Sequence, residues 1–452
     1  MRPVWCAQRT LLALLLLAGC AGRPVPAAAP AAAGPASPAD ADTAAAPDTP
    51  GQVMVTLRPA PPDLWTSTTF QLARAYRLRT VFSWTMASLG EQCIVFEVPR
   101  GHSVAETLRR LHSDPRVGTA QPVATFSTLA AAAPAATSDT GYNDPYAHLQ
   151  HSVQALHLAQ AHRWATGKGV RVAVIDTGID LDHPDLRGRV VKANSFVDRG
   201  EQTFTSDVHG TAVAGVIAAT SNNQVGIVGV APQAELYALK ACWQKAPGQR
   251  EAVCDSYTLA KAIDFAIVQG AQVLNFSLGG PYDPLLARLI GVALSHGVAV
   301  VAADAGDGAR SFPASLPGVI GIFGIDDLKG ERRARTVANP DEVGAPSVDI
   351  LTTVPHGSYD FFSGSSFAAA QVTGVVALVL EREPKMSPAR LAALLRKTAH
   401  PLPLPPAGDP PPPSNLPARL SAPGPQTPQL QNITEVDACA ALASALGSGS
   451  CP

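Results

Sequence analysis

An α/β fold with a mostly parallel central sheet is expected for the larger part of this 452-residue chain, and three observations predict it. Short, largely apolar runs recur at 170–175, 236–239, 273–278 and 298–302. Helix-like stretches separate them, as where Leu259, Ile263, Ala266 and Ile267 follow Asp255-Ser256. The runs are apolar at consecutive rather than alternate positions, as strands covered on both faces require. Alternation of this kind places helices on the two sides of a parallel sheet, giving three layers over residues 142–400, a segment long enough to bury a sizeable core.

Composition bounds the rest. The chain is 46% hydrophobic and 15% charged, with a net charge of −2. A near-neutral balance excludes a general nucleic-acid binder, which needs a basic surplus to displace counterions, and the apolar content excludes a wholly disordered chain. The prolines are unevenly placed: of 41, 7 fall in 21–50 and 12 in 401–430. Both stretches are low-complexity segments, because frequent Pro blocks helix and leaves little to bury. The N-terminal one, with 13 Ala, reads as a tether over 20–51. Its reach is about 30 Å as a coil and about 90 Å as polyproline II.

Ahead of the tether, Arg2 and Arg9 precede an apolar run from Leu11 to Ala18, too short to span a bilayer and suited to a signal peptide over 1–19. Leu17-Ala18-Gly19-Cys20 resembles a bacterial lipobox, which implies lipidation of Cys20. Residues 52–127 form a second, smaller unit. Val53, Val55 and Leu57 alternate as in a strand; Leu64 to Tyr76 has helical spacing; 79–86 and 93–98 read as strands. Ser103 and Glu106 make a capping box before Val104, Leu108 and Leu111, and 117–123 closes as a strand. The order β-α-β-β-α-β predicts a small α+β, ferredoxin-like domain. Residues 128–141 then read as an exposed linker, and 431–452 as one short C-terminal helix.

The chemistry lies in three motifs. VAVIDTGID (172–180) puts Asp176 at the end of a buried strand, where sites form in α/β sheets. DVHGTAVAG (207–215) sets His209 before a small-residue helix, and SGSSFAAAQVTG (363–374) sets Ser366 at the start of an apolar helix. A serine hydroxyl needs a neighbouring imidazole to take its proton, and the imidazole needs a carboxylate to fix its tautomer. An Asp-Thr-Gly or a His-Gly alone is usually a turn, but the three together and in this order are the parts of an acyl-transfer site.

The same motifs resemble the subtilisin-like serine proteases, the subtilases. YNDPYAHLQHSVQALHLAQAHRWATGKG (142–169), HPDL (183–186), GIVGVAP (226–232), LNFSLGG (274–280), FPASLPGVI (312–320) and SPARLAALLRKTA (387–399) extend the likeness across 142–400. The resemblance implies a subtilisin-like three-layer fold and a catalytic triad of Asp176, His209 and Ser366. It also implies that Ser277, Leu278 and Gly279 pair with the substrate backbone and wall the first specificity pocket. The 52–127 unit resembles the family's inhibitor-type propeptide, with processing in 128–141.

One departure touches the chemistry. Where the family places an Asn that donates to the oxyanion, this chain has Asp307. An ionised carboxylate only accepts hydrogen bonds, so Asp307 would have to be protonated to help, or the backbone N–H of Ser366 and a water would have to suffice. Ala212, and Ala369-Ala370-Gln371 after the Ser motif, also differ from the family's usual residues, at positions that shape helix packing.

Cys242, Cys254, Cys439 and Cys451 remain once Cys6, Cys20 and the small domain's Cys93 are set aside. Near-neighbour pairing, Cys242 with Cys254 and Cys439 with Cys451, is one of three connectivities open to them in an oxidising compartment. His183, Asp180, Asp182 and Asp185 read as turn residues, and Arg332, Arg333 and Arg335 as a solvated loop face. The chemistry needs no cofactor; structural calcium, frequent in the family, is left open, since no loop has EF-hand spacing. The expected protein is a lipid-anchored serine endopeptidase of the bacterial envelope (outer membrane or periplasmic face) or secreted. It would be made as an autoprocessed zymogen, with polypeptide substrates, its own propeptide as inhibitor and a membrane as partners. The alternative, motivated by Asp307, is a catalytically impaired lipoprotein that uses the cleft to bind peptides.

Overall fold

The computed structural model describes residues 51–128, 141–197, 204–246, 250–304, 311–325, 342–401 and 434–451. Among them, nine strands make one central sheet. From one edge to the other its strands are His400–Pro401, Thr434–Glu435, Val343–Ala345, Ile320–Gly324, Ala299–Ala303, Val273–Phe276, Arg171–Asp176, Glu235–Lys240 and Val190–Ser195. Every neighbouring pair is parallel except His400–Pro401 with Thr434–Glu435.

The strand Arg171–Asp176 shows why the runs are apolar throughout. Val172 and Val174 enter a core shared with the helices Val208–Ala218, Ser365–Arg382, Pro388–Thr398 and Ala438–Ala445. Ala173 and Ile175 enter the opposite core, under the helices Ser256–Val268 and Pro284–Ser295. Two apolar faces on one strand therefore fix a three-layer arrangement. Aspartate N-caps start the covering helices: the half-buried Asp255 accepts from Thr258 N at 2.8 Å, and the buried Asp283 from Leu285 N and Leu286 N at 3.0 Å.

The N-terminal unit is a four-stranded antiparallel sheet in the order Arg79–Met86, Glu91–Glu97, Gln52–Leu57, Val117–Pro122, with helices Pro62–Tyr76 and Val104–His112. Val53, Val55 and Leu57 face those helices. Met54, Met86, Cys93 and Val95 point the other way and join the core around Leu259, Ile263, Leu285 and Leu289. Polar contacts fix the same face: Asp264 accepts from Ala87 N and Ser88 N, and Arg288 forms a two-pronged pair with Glu91.

One segment departs from the sequence reading. The chain leaves the small domain at Val123, and Thr125–Thr128, read from the sequence as the end of the small domain (to 127) and the first residue of the linker (128), becomes a strand of a different sheet. It lies between Ala252–Asp255 and Leu278–Gly279, antiparallel to both. Extended backbone groups at 125–128 thus find partners on two sides, which a solvent-exposed linker would not offer.

Candidate active site

Asp176 is the last residue of its strand and His209 lies in the first turn of Val208–Ala218. Two glycines let these elements touch backbone to backbone. A Cβ on Gly210 would stand 2.2 Å from Gly178 O, and Gly178 itself holds φ +103°, with its own Cβ position 2.3 Å from Phe204 O. Thr177 Oγ1 accepts from Gly210 N at 3.0 Å and pins the crossing.

The result is a buried pair. His209 Nδ1 stands 2.9 and 3.0 Å from the two Asp176 carboxylate oxygens, and Asp176 Oδ1 also accepts from Thr177 N at 2.7 Å. An ionised carboxylate only accepts, so Nδ1 carries the proton and Nε2 is left as the basic nitrogen. Among the described residues His209 Nε2 is buried with no hydrogen-bond partner. The Phe367 ring packs against the imidazole at 5.7 Å between centroids.

Ser366 lies in the first turn of Ser365–Arg382, where backbone N–H groups point out along the helix axis. Its Oγ donates to Ser277 O at 2.8 Å, and Ser277 Oγ donates to Ser366 O at 2.8 Å. Behind Ser277, Asn275 Nδ2 donates to its hydroxyl at 3.0 Å, and Thr373 Oγ1 donates to Asn275 Oδ1 at 2.8 Å. The Ser277 strand and the Ser366 helix are therefore stitched together by a buried polar chain. Leu278 and Gly279 pair with Thr128 and Ser127 in an antiparallel ladder, next to the Ser277 that bonds Ser366.

Lys240 was not singled out in the sequence. It ends the strand beside Asp176, is 1% exposed, and donates to Thr177 O at 2.5 Å and to Asp207 Oδ2. Asp207 is the N-cap residue of the His209 helix. Burial raises its carboxyl above the ordinary range, against the pull of Lys240. The sequence signal, a lysine closing an apolar strand, names no partner.

His183 is fully buried: its Nδ1 accepts from Asp185 N at 3.2 Å, so Nε2 carries the proton and donates to Ser358 O at 3.0 Å. Asp180 accepts from Asp182 N and His356 N, and Asp185 from Asn223 Nδ2, Ile227 N and Tyr359 Oη. These contacts make the HPDL turn a structural knot. Gln371, one of the departures from the family, is buried and donates to Pro346 O at 2.7 Å, just past the strand Val343–Ala345. The disulfides are Cys242–Cys254 and Cys439–Cys451, while Cys93 is a buried free thiol. Cys20, Asp307, Arg332, Arg333 and Arg335 lie outside the described residues.

Residues 167–433 match the subtilase family, Peptidase S8. The chain belongs to that family of serine proteases. It is 35% identical to thermitase from Thermoactinomyces vulgaris over 254 residues, 55% of this chain and 89% of thermitase. It is 36% identical to subtilisin NAT from Bacillus subtilis subsp. natto over 263 residues, 56% of this chain and 66% of that relative. Fervidolysin from Fervidobacterium pennivorans, a keratinolytic enzyme related to subtilisin, shares the fold. Its TM-score is 0.68 at 24% identity, covering 89% of this chain and 62% of fervidolysin. In this subtilase, Asp176, His209 and Ser366 follow one another in the chain order Asp, His, Ser.

Proposed function

We propose that the chain is a lipid-anchored serine endopeptidase made as a zymogen, with Asp176, His209 and Ser366 as its triad. The buried Asp176–His209 pair, with Nε2 unpartnered among the described residues and the ring packed on Phe367, the residue next to Ser366, is the observation that carries the reading. In the reaction the Ser366 hydroxyl turns from Ser277 O to His209 Nε2, which takes its proton as Oγ attacks the peptide carbonyl carbon. The same proton passes to the departing amine, and water then hydrolyses the acyl-enzyme by the reverse route. Asp176 holds the ring and stabilises its charged form. Amide N–H groups of the first turn at Ser366 face the developing oxyanion.

The strand Thr125–Thr128 supports the zymogen reading. It fills the place of a substrate strand, with Ser127 opposite Gly279 and Thr128 opposite Leu278. Ser277, the neighbour of Leu278, has the carbonyl that receives Ser366 Oγ. We place the cut shortly beyond that strand, after Leu129 or Ala130, giving a mature N-terminus at Ala130 or Ala131. The lipid anchor rests on Cys20 and the Ala/Pro-rich tether.

The test expresses the chain from Ala21, with and without Ser366→Ala. The native form is expected to lose the segment before Ala130 or Ala131 and to be labelled at Ser366 by a fluorophosphonate; the variant does neither. Absence of both processing and labelling between pH 5 and 9 would overturn the protease reading in favour of a peptide-binding lipoprotein. Metabolic incorporation of a fatty acid at Cys20, abolished by Cys20→Ala, checks the anchor.

A further inference from the structure

We propose that His157, His400 and Asp437 bind a divalent transition-metal ion, such as zinc, that clasps the C-terminal segment to the catalytic domain. The cluster is remote in sequence from the triad motifs and does not depend on the reading of the active site.

The three ligand atoms converge. His157 Nδ1 lies 3.0 Å from Asp437 Oδ2, and His400 Nε2 contacts the same oxygen. All three atoms lie within 4.8 Å of one another. The two rings meet edge to face at 83°, which aims both nitrogens at the carboxylate instead of stacking the rings. Asp437 is buried and its other oxygen, Oδ1, accepts from Ala440 N at 2.8 Å as the cap of helix Ala438–Ala445. That bond holds the carboxylate in place, the role outer-shell partners play at metal sites. A cavity of about 570 Å³, lined also by Gln160, Ser444 and Ser448, opens onto the cluster and leaves room for a water as fourth ligand.

Donor chemistry selects the ion. Two imidazoles and one carboxylate suit zinc and its first-row neighbours, whereas calcium takes oxygen ligands. Metal–ligand bonds near 2.0–2.1 Å in a tetrahedron put neighbouring ligand atoms about 3.3 Å apart. The His157–Asp437 separation is within a few tenths of an ångström of that. Without metal, both facing nitrogens carry protons and donate to Oδ2. On binding, each neutral ring moves its proton to the other nitrogen and turns a lone pair to the ion.

The three ligands come from three parts of the chain. His157 precedes the Asp176 strand, His400 follows helix Pro388–Thr398, and Asp437 starts the helix that carries the Cys439–Cys451 disulfide. Backbone pairing already brings His400 opposite Glu435, and Ala438 N donates to Leu156 O at 3.1 Å. An ion here would hold both ends of the Pro-rich stretch and the C-terminal helix to one point.

The experiment uses untagged chain from Ala21 carrying Ser366→Ala, stripped with EDTA and titrated with zinc chloride by calorimetry and thermal melts. One zinc per chain is expected, not displaced by excess calcium, with a rise of about 5 °C in the unfolding midpoint at saturation. His157→Gln and His400→Gln keep hydrogen-bonding capacity and are expected to weaken zinc binding at least tenfold while leaving the zinc-free midpoint close to that of the parent. Cobalt substitution should give visible bands that both variants lose. Zinc binding that is absent, or unchanged in the two Gln variants, would overturn the proposal and leave a hydrogen-bonded His–Asp–His clasp. If a Gln variant fails to fold, the cobalt spectrum of the parent decides alone: no bands, or bands of an octahedral oxygen site, overturn it.

Discussion

At the scale of single residues the chemistry depends on which charges the cleft tolerates. The family resemblance of the sequence around Asp307 implies that it replaces an amide donor, and an ionised carboxylate in that role would repel an oxyanion. Asp307→Asn is expected to raise kcat at neutral pH, by up to about 10²–10³, a range measured on the matching Asn of subtilisin itself. An unchanged rate would mean that Asp307 is no handicap. Lys240 offers a second test. Its ammonium is buried against Asp207, so Lys240→Met strands a buried carboxylate at a cost of about 3–5 kcal/mol. Urea unfolding of the Ser366→Ala protein with and without Lys240→Met measures this, and the double change Lys240→Met with Asp207→Leu should recover much of the loss. The proposed triad was legible because each member sits in a short local motif. Lys240 was not, because its partner lies 33 residues away and only the fold brings them together. The His157–His400–Asp437 cluster was illegible for the same reason, its members being up to 280 residues apart.

At the scale of elements, the sequence periodicities located strands and helices well, since a strand buried on both faces leaves an unbroken apolar run. They could not show that Thr125–Thr128 belongs to the cleft, because pairing with Val253 and Gly279 is long-range and four residues carry little pattern. The hairpin Cys242–Gln244 and Ala252–Asp255 flanks that strand, and its disulfide joins directly opposed residues. Cys242→Ser with Cys254→Ser is expected to cost about 3 kcal/mol by loop entropy, read as a lower unfolding midpoint. The HPDL turn adds a pH dependence. Burial lifts the Asp185 carboxyl to about 6, against about 3.9 in an unfolded chain. Between those values the folded protein binds more protons than the unfolded one, so this group's contribution to stability is present at low pH and falls as pH rises from about 4 to about 6. Asp185→Asn abolishes the titration. The midpoint of the parent minus that of the variant should therefore decline across this window and level off above it; a flat difference would show that Asp185 ionises normally.

At the scale of the whole molecule, the small domain is coupled to the protease through one continuous apolar cluster and a few polar contacts. Its β-α-β-β-α-β order was readable because each element has its own periodicity, but its docking face was not. Alternation marks two faces of a strand without saying that Met54 and Val95 cover a neighbour's helices. Arg288, paired with Glu91, tests the docking: on the proposed zymogen reading, Arg288→Ala should weaken inhibition of the processed enzyme by the separate 52–128 segment about tenfold. The placement of Thr125–Thr128 has a further consequence for the protein's life before it acts. Unsatisfied strand borders are templates on which other polypeptides add and aggregate. Without Thr125–Thr128, Ala252–Asp255 and Leu278–Gly279 would be such borders, and their own chain occupies both. On the proposed zymogen reading, the backbone groups that would later grip a foreign peptide are thereby kept from gripping a sister molecule. The proposed cleavage would change a self-satisfied seam into a receptor, so the timing of one cut would set when adhesion becomes recognition.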